Sequence, residues 1–587
     1  MCGIVGVIGS PKAYEKTIES LNRLEYRGYD SAGIGVKDGH KIEIRKDIGY
    51  VNNVFTHDMP LLKGQMAIGH TRWATQGEVT KENAHPHIDC TGQIAIVHNG
   101  VIDNYQALLE SLQESDGKHN IRSQCDSEII AHLLEWTALP LRDAMFVVAE
   151  QLVGQFAVVA ISSHDDELVA MRRGNPLILG LADKCTYIAS DPVAFPDEVK
   201  SIVFIGDNEL VEIHPTSFTL YDLDTCKVIV RKPEPYTPSV IEKTGTGYRM
   251  ETEMKQQPTV IRAIANSDKD LYMRLAFKIA RAQNVILIGC GSSRHAALAG
   301  RVAISQIAQK FTEVLVASEL EEFGESINNQ TMIIALSQSG ETADVIRAVQ
   351  FARQQGAPVI SLINALNSSL SRISNDVLPL YCGNEISVAA TKSFTAQMCS
   401  LFLLSYAMDC NYEKGVAELK NLADILDQQL IDIPKSIEAV IDQLKDQEHM
   451  YYLGRGVNYP LACEGALKMK EIAYIHAESF SSGELKHGAI ALIEKGTPVL
   501  GVCPADKFYV DTMANLQEAK ARGAIIIGVS DKKDKVYDYW LPIPTVTPLF
   551  YSVVATVPLH MLAYFISISN GINPDRPRNL AKSVTVK

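Results

Sequence analysis

The sequence predicts an α/β fold class, and three observations carry this prediction. Residues 2 to about 235 contain short apolar or alternating runs that are typical of strands, such as Gly92–Val97 and Phe156–Ile161. Further along, short apolar strands alternate with amphipathic helices, which is typical of parallel βαβ layering. This second region also contains an internal repeat. With 587 residues, the chain has room for three or four domains of about 150 residues each.

The segment Lys232–Pro258 predicts the first domain boundary. It is rich in polar residues, prolines and glycines, a composition that favours a linker over a packed element. The predicted organisation is therefore a first domain over residues 2–235, a linker over 236–258, two further domains over 259–435 and 436–576, and a tail over 577–587.

The repeat is visible in two pairs of segments. Asn284–Gly291 resembles His449–Gly456, and Arg353–Leu362 resembles Lys520–Val529, both at a separation of about 165 residues. The agreement of the two separations indicates a duplicated, doubly wound α/β subdomain, with chance similarity between segments of this type as the alternative. Such sheets bind ligands at the carboxyl ends of their strands.

Composition and charge exclude several classes of protein. Hydrophobic residues make up 46% and charged residues 21% of the chain, which excludes a disordered or fibrous protein. The net charge is −14, and no long block of Lys and Arg is present, so no nucleic acid partner is predicted. Eleven cysteines without a C-x-x-C pair favour a reducing cytoplasm. The N-terminus lacks the features of a signal peptide and is expected to be mature after loss of Met1.

The stretch Leu541–Pro574 contains no charged residue, which raises the question of a membrane span. Four prolines interrupt it and favour the alternative of a buried strand and a core helix, without a membrane partner: Pro542, Pro544, Pro548 and Pro558.

Cys2 is a candidate nucleophile. Once Met1 is removed, its thiol lies beside a free α-amino group, whose ordinary pKa near ~7.7 suits it to accept the proton of a thiol with a pKa near ~8.5. The alternative is a small residue that serves only the removal of methionine.

Four further motifs follow the Met1–Gly6 segment MCGIVG in order: YRGYDSAG at Tyr26–Gly33, HTRWAT at His70–Thr75, HNG at His98–Gly100 and CDSE at Cys125–Glu128. Together these motifs resemble the class II glutamine amidotransferases. The resemblance covers residues 2–235 and implies an αββα N-terminal-nucleophile (Ntn) hydrolase sandwich.

The resemblance also implies site residues for L-glutamine. Cys2 would attack the side-chain amide, while Asn99 and the amide of Gly100 would stabilise the oxyanion. Arg72 would bind the α-carboxylate, and Asp126 would receive the α-ammonium group.

Each of these residues has a structural alternative when it is taken alone. Arg72 would be a surface ion-pair residue, Asn99 a turn residue and Asp126 a helix N-cap. By resemblance Trp73 belongs to a mobile loop that closes over glutamine and gates an ammonia passage; a core tryptophan is the alternative. Gln76 stands where the family often has histidine.

In the second region, LSQSGETADV at Leu336–Val345 follows a predicted strand and opens a helix. Hydroxyls and free N–H groups at a helix N-terminus can hold a phosphate, with an elaborate N-cap as the alternative. The pattern resembles sugar isomerase (SIS) domains, which bind phosphosugars. The resemblance implies two groups of sugar-phosphate ligands: Ser337, Gln338, Ser339 and Thr342 in this segment, and Ser292 and Ser293 upstream.

EGALKMKE places Glu464, Lys468 and Glu471 on one helical face, where surface ion pairing would explain the spacing equally well. However, the continuation Ile472–Gly488 and the tail Asp575–Lys587 resemble the isomerising aminotransferases that act on fructose 6-phosphate.

This last resemblance implies four roles. Glu471 would move a proton between C1 and C2, and His487, from the neighbouring subunit of a homodimer, would open the sugar ring. Lys582 would form a Schiff base with the ketose, and Lys468 would support the site electrostatically. No cofactor is implied. No metal site is predicted either, because the histidines do not pair with cysteines or carboxylates at ligand spacing along the chain.

Two alternatives remain from the sequence. One is a relative that aminates or isomerises another phosphosugar. The other is a sugar-phosphate-sensing regulator, in which Cys2 and its partners would have no use. Thr252 departs from the linker pattern of the family, and the histidine that usually precedes this segment is absent.

Overall fold

The computed structural model describes residues 2–114, 119–237 and 247–584, which form two compact units. The first unit extends to Ile241 and includes the terminus from Ser583, and the second unit is Glu242–Lys582. The division lies within the segment that the sequence predicts as a linker.

The first unit contains two antiparallel sheets. Its strands are β1 (Gly3–Ile8), β2 (Ser31–Asp38), β3 (Lys41–Ile48), β4 (Met66–Arg72), β5 (His87–Ile88), β6 (Ile94–Ile102), β7 (Gly154–Ser162), β8 (Leu168–Arg173), β9 (Ile178–Leu181), β10 (Thr186–Ala189), β11 (Ser201–Phe204), β12 (Glu209–Ile213), β13 (Phe218–Asp222), β14 (Val228–Ile229) and β15 (Glu234–Pro235). The strand orders are β15-β11-β9-β10-β1-β4-β2-β3 and β14-β13-β12-β8-β7-β6-β5.

The two sheets face each other across a core that includes one residue from each of four strands: Ile4, Ile68, Val97 and Val159. Helices cover both outer faces: α1 (Ala13–Leu24) and α2 (Val51–Val54) on the first sheet, and α3 (Tyr105–Glu114), α4 (Glu128–Thr137) and α5 (Leu141–Gln151) on the second. The predicted αββα sandwich is confirmed.

The second unit contains two parallel sheets of five strands each. Their strands are β16 (Asn284–Gly289), β17 (Glu313–Val316), β18 (Thr331–Ser337), β19 (Val359–Ile363) and β20 (Asp376–Pro379), then β21 (His449–Gly454), β22 (His476–Ser481), β23 (Pro498–Val502), β24 (Ile525–Ser530) and β25 (Tyr539–Pro542). The orders β17-β16-β18-β19-β20 and β22-β21-β23-β24-β25 are the same doubly wound order, so the predicted duplication is confirmed.

Helices surround these sheets: α6 (Arg249–Lys255), α7 (Gln257–Ala265), α8 (Lys269–Arg281), α9 (Ser292–Ile307), α10 (Ala343–Gln354), α11 (Ser369–Ile373), α12 (Lys392–Met408), α13 (Tyr412–Leu444), α14 (Tyr459–Lys468), α15 (Tyr509–Lys520) and α16 (Tyr551–Ser569). The second half of the predicted linker is not an extended connection. It forms α6, because Met250 and Met254, four residues apart, bury their side chains in the core of the second unit.

The uncharged stretch near the end of the chain contains α16. Within the described residues one helical segment, Pro548–Ser569, is long and apolar enough to cross a membrane, but 94% of its most apolar window is buried inside the protein. Apolar residues on all sides of a helix are expected when other helices surround it. The segment is therefore buried as a core helix is, in agreement with the alternative to a membrane span that its prolines favour.

Candidate active sites

Cys2 lies at the start of β1, against the end of β4. The pairing of Gly3 with Thr71 brings the residue after β4, Trp73, next to the cysteine. The Cys2 Sγ atom is 3.4 Å from the Trp73 backbone nitrogen, which donates to it, and 3.5 Å from the Trp73 carbonyl oxygen. Burial raises the pKa of the Cys2 thiol, while the Trp73 N–H and the Arg72 charge favour the thiolate.

Asn99 lies on β6 and is positioned by three polar contacts with residues outside that strand. Its Nδ2 donates to the Cys2 carbonyl oxygen at 3.0 Å, and its Oδ1 lies 3.0 Å from Nε2 of His70. The Asn99 carbonyl accepts from Nδ2 of Asn175 at 3.2 Å. Sequence reasoning missed His70 and Asn175 as partners, and only the pairing of distant strands brings them here.

Gly100 adopts a backbone conformation that other residues rarely reach, with φ of +140°. A Cβ atom at this position would lie 2.0 Å from the Gln155 carbonyl oxygen on the neighbouring strand. Glycine is therefore required here by both conformation and space.

Arg72 and Asp126 are both buried, with 2% of their surface exposed. The Arg72 guanidinium donates to carbonyls of the following loop, including those of Gln76 and Glu78. The Asp126 carboxylate accepts from the backbone N–H of Ile102 at 2.8 Å. Asp126 is not the N-cap of α4, because Ser127 occupies that position. A buried charge of each sign thus lies in the unit that carries Cys2.

Five buried histidines lie among the described residues of this unit, and four of them, His70, His85, His87 and His98, have lowered pKa values. Burial lowers the pKa of His70 to about 3 and that of His98 to about 4, and the pKa values of the other two lie well below the ordinary value. Desolvation penalises a charged imidazole, so these rings are neutral at neutral pH.

In the second unit, the predicted phosphate segment links β18 to α10. Ser337 ends the strand, and its Oγ accepts from the Gly340 N–H at 2.9 Å and lies 3.4 Å from the Thr342 hydroxyl. Gln338 and Ser339 are half-buried in the turn between them. The turn thus gathers hydroxyls and backbone N–H groups at the N-terminus of a 12-residue helix.

Ser292 and Ser293 open α9. Ser292 joins the two halves of the second unit, since its Oγ donates to Glu464 at 2.9 Å and accepts from Nζ of Lys468 at 3.1 Å. Ser293 Oγ accepts from the side-chain amide of Gln397 at 3.0 Å.

Lys468 lies at the centre of a buried polar network and is 0% exposed. Its ammonium lies 3.3 Å from Glu464 and bonds to Glu471, which a π-helical turn after α14 carries. Glu464 also lies 2.8 Å from Nδ1 of His295. Burial opposes the charges, but the two carboxylates outweigh it and raise the pKa of Lys468, and the pKa of Glu464 lies well below its ordinary value. The three predicted residues thus form one network, in which Glu464 and Lys468 are buried and Glu471 is partly exposed.

Within the described residues, His487 and Lys582 form no hydrogen bond or ion pair with the members of this network. His487 is exposed at the end of the 3-10 segment Ser482–His487. Lys582 is buried and pairs with Glu385. Burial disfavours the Glu385 carboxylate, but Lys582 and the Ser393 hydroxyl lower its pKa to about 2. Sequence reasoning missed Glu385, because an isolated glutamate carries no local signal. Among the interactions of the described residues, none joins His487 or Lys582 to Glu471.

Two family models match the chain. The glutamine amidotransferase domain matches residues 70–197, and the SIS domain matches residues 278–406 and 443–539. The first match lies in the unit that carries Cys2, and the two others each lie on one of the parallel sheets.

Several relatives that match over the full length share one name. The glutamine–fructose-6-phosphate aminotransferases [isomerizing] of Thermococcus kodakarensis and Aquifex aeolicus are 39% and 37% identical, and each alignment covers 100% of both chains. Among solved structures, the C-terminal domain of glucosamine-fructose-6-phosphate aminotransferase from Francisella tularensis is 31% identical with a TM-score of 0.54, covering 57% of this chain and 99% of that chain. The chain therefore belongs to the family of isomerising glutamine–fructose-6-phosphate aminotransferases.

Proposed function

We propose that this protein transfers the amide nitrogen of L-glutamine to D-fructose 6-phosphate and isomerises the product to D-glucosamine 6-phosphate, with release of glutamate. This is the entry reaction of amino-sugar synthesis towards UDP-N-acetylglucosamine. The observation that carries the proposal is the full-length match to relatives of this name, because it includes both units and therefore both half-reactions.

In the first half-reaction, the Cys2 thiolate attacks the glutamine amide carbon, ammonia leaves, and water hydrolyses the resulting thioester to glutamate. Removal of Met1 would give Cys2 the α-amine that accepts its proton. Asn99 Nδ2 and the Gly100 N–H stabilise the oxyanion. The contact with His70 supports this role, since it orients the Asn99 amide so that its NH₂ group faces the cysteine.

Glutamine itself is held by its charged groups. Arg72 receives the α-carboxylate, which is a stronger acceptor than the loop carbonyls that the guanidinium now contacts. Asp126 receives the α-ammonium, and Trp73 lies over the bound substrate.

In the second half-reaction, the ketose phosphate binds through the two serine-rich turns, with Ser337, Gln338, Ser339 and Thr342 around the phosphate and Ser292 and Ser293 beside it. Lys582 forms a Schiff base at C2. Ammonia that has not been protonated to ammonium then displaces Lys582 and leaves an imine at C2. Glu471 then moves a proton from C1 to C2. The pairing of Glu471 with Lys468 supports this role, because it fixes the Glu471 carboxylate beside an ammonium that also contacts Ser292 of the predicted phosphosugar site.

His487 opens the sugar ring and acts from the partner subunit of a homodimer. The exposure of His487 supports this assignment, because an exposed side chain can reach a neighbouring subunit. We place the enzyme in the cytoplasm, where its free thiols remain reduced.

The test is an assay with glutamine and fructose 6-phosphate in which the amino sugar is identified by mass. Glucosamine 6-phosphate is the expected product. A Cys2→Ala variant is expected to lose glutamine-dependent synthesis to below about a thousandth of the original rate while it still binds the sugar phosphate.

Two results would overturn the proposal. If fructose 6-phosphate yields no amino sugar while another ketose phosphate does, the substrate is wrong. If the Cys2→Ala variant keeps glutamine-dependent turnover, the nucleophile is wrong.

A further inference from the structure

A cluster of metal-ligating side chains lies in the first unit, apart from the residues of the glutamine site. It consists of Cys90 in the loop between β5 and β6, His119 in the segment before α4, and His132 and Glu135 one turn apart on α4. The sulfur, the two ring nitrogens and one carboxylate oxygen all lie within 4.8 Å of one another.

The distances between these atoms match those around a tetrahedral zinc ion. Bonds of about 2.3 Å to sulfur and about 2.0–2.2 Å to nitrogen and oxygen place the ligand atoms about 3.3–3.6 Å apart. The Cys90 Sγ atom is 3.4 Å from Nδ1 of His132 and 3.9 Å from Nδ1 of His119. Oε2 of Glu135 is 3.2 Å from the His119 nitrogen and 3.5 Å from the His132 nitrogen.

One group outside the cluster supports it directly. The backbone N–H of Asn120 donates to Cys90 Sγ at 3.2 Å, whereas Oε1 of Glu128 lies 3.6 Å from Nε2 of His132, beyond hydrogen-bonding distance. An N–H directed at a thiolate is a typical support of a zinc site.

From this geometry we propose that Cys90, His119, His132 and Glu135 bind one zinc ion. Thiolate, imidazole and carboxylate together suit a borderline-soft ion such as zinc better than calcium or magnesium, which prefer oxygen ligands. Four protein ligands leave no open coordination position, so the ion is structural rather than catalytic.

The ion would fasten two connecting segments to α4. Asp126 lies two residues before α4, and the Cys90 loop leads into β6, which carries Asn99. A bound ion would therefore restrain the segments that lead to Asn99 and Asp126 without touching the substrate.

The sequence predicts no metal site, because Cys90, His119 and His132 are far apart along the chain. Only the His132-x-x-Glu135 spacing gives a local signal, and a helical salt bridge explains that spacing equally well.

The test measures zinc in the full chain, purified and then dialysed with limited free zinc. All proteins carry Cys2→Ala, which removes the thiol of a competing N-terminal thiol–amine pair. The parent is expected to keep about one zinc per chain, and Cys90→Ser and Glu135→Gln variants less than about a tenth of that. Cys226→Ser, which replaces an exposed thiol of the same unit, is the matched control and should keep its zinc. Cys125→Ser should also keep it, although Cys125 lies in a separate buried cluster with His85 and His87.

A second measurement tests the coordination itself. Replacement of zinc by Co²⁺ should give the visible absorption of a tetrahedral site with a thiolate charge-transfer band, and Cys90→Ser should remove that band. Chelation should lower the unfolding temperature of the parent and leave that of Cys90→Ser unchanged. A parent that binds no zinc, or a Cys90→Ser variant with full zinc content, would overturn the proposal and leave only a hydrogen-bonded cluster. Loss of zinc in Cys125→Ser alone would also overturn it.

Discussion

Replacement of Lys468 by methionine tests the buried network of the second unit. Methionine keeps most of the length of the side chain but removes the ammonium, which bonds to Ser292 and to the carboxylates of Glu464 and Glu471. The change therefore leaves the packing nearly intact and removes one charge from a fully buried side chain.

The expected loss in the free energy of unfolding comes from the carboxylate that the substitution leaves without its partner. Glu464 is 1% exposed and would lose its main cationic partner, and the loss of one partner from a buried ion pair costs about 3–5 kcal/mol. This corresponds to a shift of roughly two to three and a half powers of ten in the unfolding equilibrium. Lys470→Met, an exposed lysine two residues away, is the matched control and should change stability by less than about 0.5 kcal/mol.

The assay follows urea unfolding by tryptophan fluorescence. The chain has three tryptophans, and Trp540 is the one in the second unit. In a Trp73→Phe, Trp136→Phe background, the signal therefore reports the second unit alone. Adding Glu464→Gln to Lys468→Met should recover at least about 1 kcal/mol relative to the sum of the single changes. If Lys468→Met costs no more than Lys470→Met, or if the two changes add without coupling, the reasoning is refuted.

Three further predictions concern individual residues. Gly100→Ala should destabilise the first unit by about 1–3 kcal/mol and abolish glutaminase activity, because its Cβ would meet the Gln155 carbonyl at 2.0 Å; urea unfolding and glutamate release measure this. His70 and His98, with folded pKa values of about 3 and about 4, bind protons in the unfolded chain below about pH 6.5. The free energy of unfolding should therefore fall as the pH decreases from 6.5 to 4, by up to about 1.4 kcal/mol per pH unit for each histidine, as urea titrations across this range would show. Lys582→Arg keeps the charge beside its buried carboxylate but cannot form the Schiff base, so synthesis should fall at least about 100-fold while glutaminase activity and the unfolding midpoint persist.

Each of these predictions has a contradicting outcome. A Gly100→Ala enzyme with normal glutamate release would show that the strand tolerates a side chain. Equal stability at pH 6.5 and pH 4 would mean that the histidines are charged in the folded protein. A Lys582→Arg enzyme that makes glucosamine 6-phosphate at the original rate would exclude the Schiff base at this residue.

Much of the fold follows from local patterns in the sequence. The alternation of apolar residues in the first region and the repeat near Gly289 and Gly454 predict the sandwich and the two parallel sheets, because burial on one face or both imposes these periods on any strand. The helix over Arg249–Lys255 was missed, since the surrounding proline and glycine content conceals the two methionines that pack it.

The sequence by itself also indicated the chemistry that we propose, because the residues within each motif lie close together along the chain: those of the Cys2 segment, of each serine-rich turn and of the Glu464–Lys468–Glu471 face. Only the tertiary structure decided the long-range partners: His70 with Asn99, Glu385 with Lys582, and Cys90 with His119 and His132. Side chains so far apart along the chain leave no periodic signal. Their contacts arise when strand pairing and helix packing bring them out of water, where a buried polar group is stable only with a partner.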